Sequence, residues 1–268
     1  MRLHSKSALL AVFWLALPLL SWSASAPADE AAAGRLWQFH QQKTSDHAAV
    51  VKACVAFEKQ YPQSPLITLS HGLAGWHLLK MEQPRAAAPL FETMISDNPA
   101  SPLAEAGNTM ARRWMTRLDR EKVREALRRY YSHNIEFPAV VDKLDKLPAD
   151  QRPPMTDRWK NTWVYRLTGF KRVGGLFDQK YLLQSAALTT DSDFKEALAK
   201  PYPAESGLKP LRYVSREAGK RSVQFAAGAE QILLSEGTKQ GPWIFAYAGE
   251  TLLVLCDGDH WLLLPSPT

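Results

Sequence analysis

Residues able to carry chemistry are few and scattered along the chain. Seven histidines stand at positions 4, 40, 47, 71, 77, 133 and 260. Metal sites announce themselves as HExxH or as paired Cys and His at short spacing. Neither pattern occurs, and His71 and His77 are six apart, which does not stack them on one helix face as an i,i+4 pair would. His260 beside Asp257-Gly258-Asp259 is expected at a solvent-facing hairpin tip. No GxSxG, P-loop or GxGxxG pattern is present, and Gly174-Gly175 reads as a turn between strands. Thr190-Asp191-Ser192-Asp193 offers Asp191 and Asp193 as candidate metal ligands. Calcium requires six or more oxygens, and the same carboxylates suit the start of a helix over Phe194 to Ala199, where they would accept backbone donors. The expectation is a protein that is not an enzyme and holds no cofactor, with calcium at Asp191 and Asp193 as the alternative to capping. A hydrolase whose catalytic groups are distant in sequence stays open.

The aromatic residues are the other candidates. Trp159, Trp163 and Tyr165 alternate as residues on a strand do. They are expected to line a core or, alternatively, to present a partner-binding surface, and Trp243 and Trp261 join them as candidate partner-binding residues. Cys54 lies in a helical pattern and Cys256 in an apolar strand pattern. Both read as small buried residues, and spacing leaves open whether they pair.

The elements that position these residues begin behind a targeting segment. Arg2 and Lys6 precede an apolar run over Ala8 to Leu20, and Ala24-Ser25-Ala26 gives a small-x-small cleavage pattern. This is the layout of a secretory signal peptide over 1–26, with no transmembrane anchor left after cleavage. Its removal lowers the net charge from +6 by two, to +4. The remaining basic residues fall in small groups such as Arg112-Arg113 and Arg128-Arg129, a solvated helix face and not a nucleic-acid site. The implied location is periplasmic or outer-membrane-associated.

Residues 27–118 are helix-rich, and they repeat. Pro62-Gln63-Ser64-Pro65-Leu66 recurs as Pro99-Ala100-Ser101-Pro102-Leu103, 37 positions later, each copy lying between two helical stretches. Ser64 and Ser101 are placed to cap the helices that follow. The small Gly75, large Leu78, small Ala87 and bulky Phe91 sit at the spacing of tetratricopeptide repeats, which this segment resembles. His71, Ala74 and Met94 depart from that consensus. The resemblance implies stacked helical hairpins with a groove that holds a peptide or helix.

Residues 119–200 change character. One apolar helix face (Val123, Leu127, Tyr130-Tyr131) is followed by Phe137-Pro138, a short helix about Ala139 to Leu147, a proline-rich loop, the stretch Asp157 to Arg166 and a strand over Lys180 to Ser185. The order resembles the head of the major pseudopilin of type II secretion, the protein G-like family. Ala126, Leu127, Tyr130, Phe137, Pro138, Asp157, Trp159, Asn161, Trp163, Tyr165, Tyr181 and Ser185 match. Arg158, Lys160 and Thr162 replace the family's Pro, Gly and Pro, so a different turn is expected. The chain also lacks that family's long apolar N-terminal helix, so polymerisation like a pilin is not expected.

Residues 207–268 alternate at strand period in six runs: Leu211 to Val214, Ser222 to Phe225, Gln231 to Leu234, Trp243 to Ala248, Thr251 to Cys256 and His260 to Leu264. An antiparallel meander or small barrel is expected. Gly237, Gly241-Pro242, Asp257-Gly258 and the aliphatic runs are similar to the homology-region domain of the type II secretion clamp protein C and the pilus lipoprotein P. That resemblance implies docking to a secretin. The fold class is α+β: helical-hairpin repeats, a helix-plus-antiparallel-sheet unit, and a small β-domain. The resemblances imply an exported adaptor of a type II secretion or type IV pilus-like system, with secretin or pseudopilin components as partners. A general helical-repeat binder of peptidoglycan or outer-membrane assembly factors is the alternative.

Overall fold

Short polar caps and prolines set where the helices start. α2 (His47–Gln60) begins at Asp46, whose carboxylate accepts from Ala49 N at 3.2 Å. α5 (Pro102–Asn134) begins at Ser101, whose hydroxyl accepts from Ala104 N at 3.2 Å, with proline in its first turn. α4 (Pro84–Met94) also opens on proline. Ser64 departs from expectation. Its hydroxyl donates to Asp29 and accepts from Leu66 N, and α3 (Ile67–Lys80) starts beyond it with no side-chain cap. The computed structural model describes residues 27–173, 176–188, 192–217 and 221–267. The expected signal peptide over 1–26, the Gly174-Gly175 turn and Asp191 lie outside the described residues.

α1 (Pro27–Gln42) to α5 pack in sequence, each on the next. α3 is enclosed on every side, burying Leu69, Leu73, Trp76, His77 and Leu79. A Cβ on Gly75 would lie 2.6 Å from the Phe91 ring, so the small-against-bulky pair is a steric requirement of the α3–α4 contact. α5 runs through residue 118, where one unit was expected to give way to the next, without a break. No proline or glycine interrupts it after Gly107, and Lys122–Asp119 and Arg124–Glu121 pairs brace its successive turns. It ends at Ile135, which takes the left-handed conformation (φ 61°) although it is β-branched and 83% exposed.

The second half of α5 carries an antiparallel pair, β1 (Val164–Val173) and β2 (Leu176–Gln184), bulged between Leu167 and Gly169. Val123, Ala126 and Leu127 meet Trp163, Leu183 and the short 3₁₀ turn Val141–Lys146 in a small core of their own. The strand starts at Val164, so Trp159 lies in the preceding turn and not in register with Trp163. α6 (Phe194–Ala199) follows.

All six expected strand runs form strands. β3 (Leu208–Ser215), β4 (Ser222–Ala227) and β5 (Glu230–Ser235) make one antiparallel sheet. β6 (Lys239–Gln240), β7 (Trp243–Ala248), β8 (Leu252–Cys256) and β9 (Trp261–Pro265) make the other. The sheets meet through Phe225 and Phe245, ring centroids 5.4 Å apart. The fold is thus α+β, helical at its N-terminal side with a C-terminal β-domain.

The β-domain does not hang at the end of the repeats. One core runs from Ala33 and Leu36 of α1 to Trp261 and Leu262 of β9. The Trp261 indole packs so closely on Gly72 of α3 that any Cβ there would collide with it. Buried Glu30 of α1 accepts from Tyr247 Oη at 2.9 Å and from Thr251 N and Oγ1 at 2.8 and 3.0 Å. The helical face expected to hold a peptide is therefore covered by the chain's own strands. Among the described residues no helix is long and apolar enough to cross a membrane.

Candidate functional site

The expected site residues fall apart when placed. Trp163, Trp243 and Trp261 are buried, with 4%, 7% and 0% of their surface exposed, so they pack the interior and are not available to a partner. Trp163 Nε1 donates to Pro154 O at 2.8 Å. Tyr165 is half-buried and donates to Pro138 O at 2.8 Å, and Trp159 is half-buried in its turn. Asp193 stands at the start of α6, yet its side chain caps nothing. Its carboxylate accepts from Arg124 at 2.8 Å and pairs with Arg120 at 3.2 Å, and the hydrogen bond from Arg124 holds it below the ordinary carboxylate range despite partial burial. Cys54 and Cys256 are free buried thiols, and burial pushes Cys54 up to about 12.

What the structure does bring together is a line of imidazoles. His40 comes from the last turn of α1, His47 from the first of α2 and His77 from the last of α3. His40 Nδ1 lies 2.9 Å from His77 Nε2, and His77 Nδ1 lies 2.8 Å from His47 Nδ1. Two protons fill the two links when all three rings are neutral, so the chain is satisfied uncharged. Burial lowers His40 to about 4, with His260 and His47 adding to the effect. Burial lowers His77 to about 3, with His40, His47 and Lys80 adding. His47 is lowered by burial and then by Lys80, against Asp46.

The far wall of this cluster belongs to the β-domain and the segment leading into it. Tyr202 packs edge-on against His40, Trp76 and His260, with centroids 4.5, 4.9 and 4.8 Å away. Its hydroxyl accepts from Trp261 N at 3.0 Å, and burial lifts the phenol well above its usual range. His260, expected at a solvent-facing tip, is 4% exposed, and its Nδ1 lies 3.1 Å from Asp257. The β8–β9 turn is driven into the molecule because α5 meets its other side. Arg113 and Arg117 both reach the Asp259 carboxylate, at 2.8 Å each, and Trp114 Nε1 donates to Asp259 O at 3.0 Å. Burial alone would raise the Asp259 carboxyl, but the two guanidiniums outweigh it and hold it far below the usual range.

One further arrangement has the outline of nucleophilic chemistry. Thr93 Oγ1 lies 2.9 Å from His71 Nδ1, and His71 Nε2 lies 3.7 Å from Glu58. The hydroxyl proton is already given to Leu90 O at 2.7 Å, and 3.7 Å is too long for a hydrogen bond, so Thr93 is not activated as a nucleophile. Nor do the described residues place three or more His, Cys, Asp or Glu to hold a metal ion. His77 turns its nitrogens to different neighbours, so the imidazoles form a line and not a cage. A groove of about 490 Å³ lies between α3 and α6, lined by Leu79, Pro84, Phe194 and Leu198 with Lys80 and Lys195.

Sequence reasoning misses the imidazole line because its members are 37 and 30 residues apart. A signal is present. His40 and His77 are separated by the same interval as the two proline turns, which places them at equivalent positions in successive helical units. No family model matches the chain, and neither a curated protein nor a solved structure does.

Proposed function

We propose that the chain is an exported, non-enzymatic adaptor on the periplasmic side of a type II secretion or type IV pilus-like assembly, acting through protein–protein binding. The observation that carries this reading is the convergence of the residues that gave the pseudopilin resemblance. The Asp157 carboxylate accepts from Trp159 N and Asn161 N at 2.9 Å each and from Ser185 Oγ at 2.6 Å. Phe137 packs on Tyr181 with centroids 4.7 Å apart, and Lys160, at the family's glycine position, adopts the left-handed conformation (φ 66°) that glycine favours. A left-handed residue at the position where that family carries glycine supports a head of that kind, here mounted on a long helix. The alternative, a binder that works through its repeat groove, needs the face of α3 that Trp261 covers.

Photo-crosslinking from exposed Ile135 in intact cells tests the proposal. Adducts with a secretin or pseudopilin subunit are expected. Adducts only with outer-membrane assembly factors, or none, would sink it. Deleting 207–268 is a poor test, because it strips a large part of a shared core.

A further inference from the structure

The β8–β9 turn is gripped from two sides by opposite chemistries. On one side His40, His47 and His77 form an uncharged hydrogen-bonded line against Tyr202 and His260. On the other, Arg113 and Arg117 hold Asp259. The charged groups facing the imidazole line are themselves mostly cationic or paired. Lys80 of α3 sits over Trp76, 5.1 Å from its centroid, and acts on both His47 and His77. Asp46 faces His47 alone. Asp257 is occupied by His260. Cys54 and Cys256 are buried and neutral, and Tyr202, half-buried, is neutral as well. Trp76 Nε1 and His260 Nε2 are buried with no hydrogen-bond partner among the described residues, so this side is incompletely satisfied to begin with.

We infer that this seam is an acid-operated latch: protonation of the His40–His77–His47 line swings the α1–α2 corner away from Tyr202 and the β8–β9 turn, while Arg113 and Arg117 keep that turn on α5. Two adjacent imidazoliums beside Lys80 have no carboxylate to balance them except Asp46 at the outer end. Opening the corner gives them water. The Glu30 contacts to Tyr247 and Thr251, at the other end of α1, remain as the pivot. Opening exposes Trp37 and Trp76, which are buried in the closed form, together with the rest of half-buried Tyr202. Each buried neutral histidine adds roughly a factor of ten per pH unit to the weight of the open form below its free value.

Hydrogen exchange of the full chain, corrected for the intrinsic pH dependence and read at about pH 7.5 and about pH 5, tests this. Exchange over 36–50 should accelerate at least roughly tenfold in acid while 110–120 and 252–262 stay within about twofold. All three segments accelerating together, or none, would overturn the latch. His77→Gln should cut the acceleration over 36–50 by roughly tenfold or more, leaving the part that His40 supplies. Because that change touches the core, His47→Gln at the half-exposed end serves as the second variant, and it should also reduce the response. An undiminished response in the folded variants would overturn the proposal.

Discussion

The two sides of the β8–β9 turn solve one problem with different materials. On the α5 side, guanidinium meets carboxylate. Asp259 takes Arg113 and Arg117, at 2.8 Å each. On the α1–α3 side, imidazole meets imidazole and aromatic edges. The first side needs its charges and the second needs their absence. A buried ion pair is held by the loss incurred when one partner goes, and a buried neutral histidine by the desolvation its proton would require. The sides therefore differ least at neutral pH and diverge in acid.

The largest expected effect is on the charged side. Asp259→Ala leaves Arg113 and Arg117 without that carboxylate and should cost about 3–5 kcal/mol in urea unfolding at neutral pH. A loss below about 1 kcal/mol would show the turn is held by Trp261 packing instead. Next comes acid. His40 and His77 have folded values below the free value of 6.5, so the unfolded chain takes up protons first. Their stabilising effect is full above pH 6.5 and is lost as pH falls toward about 4 and 3. Each should cost about 2 kcal/mol by pH 5. The Asp259 contribution, with its carboxyl held low, should persist across that window. Equal acid sensitivity of wild type and a His40→Gln, His77→Gln double variant would erase the distinction.

His77→Gln itself should cost about 1–3 kcal/mol at pH 7.5, because it disturbs both links of the line. It should also flatten the pH profile, which Asp259→Ala should not. The smallest effect is a control outside both sides. Lys160→Gly should stabilise by about 1 kcal/mol at any pH, since glycine adopts φ 66° without strain. The exposed pair with Asp97 that it removes is worth little. A change in acid sensitivity from Lys160→Gly would mean that the seam is not local.

Features that depend on near neighbours are legible in the residue order itself. Pro102 and Ser101 mark a helix start, Gly75 demands a bulky partner on the next helix, and glycine breaks delimit the six strand runs. Expectation fails where a residue's fate depends on distant chain. Ser64 is placed by sequence to cap α3 but is drawn to Asp29 of α1. Asp193 is placed to cap α6 or hold calcium but is turned to arginines about 70 residues earlier on α5. Trp163, Trp243 and Trp261 read as candidate docking residues, and an indole in an alternating strand has the same sequence signature on an inner face as on an outer one.

The amino-acid order alone determined the α+β class, the Ser101 start of α5, the strand runs and the 37-residue interval that puts His40 and His77 in register. Those features follow from backbone sterics and from hydrogen bonds spanning a few residues. Only the tertiary structure decided that the Asp257–His260 tip is buried, that α5 joins two units as one rod, and that the helical face is filled from within. The contacts responsible join residues as much as 221 positions apart, a separation over which no local rule of composition or period operates.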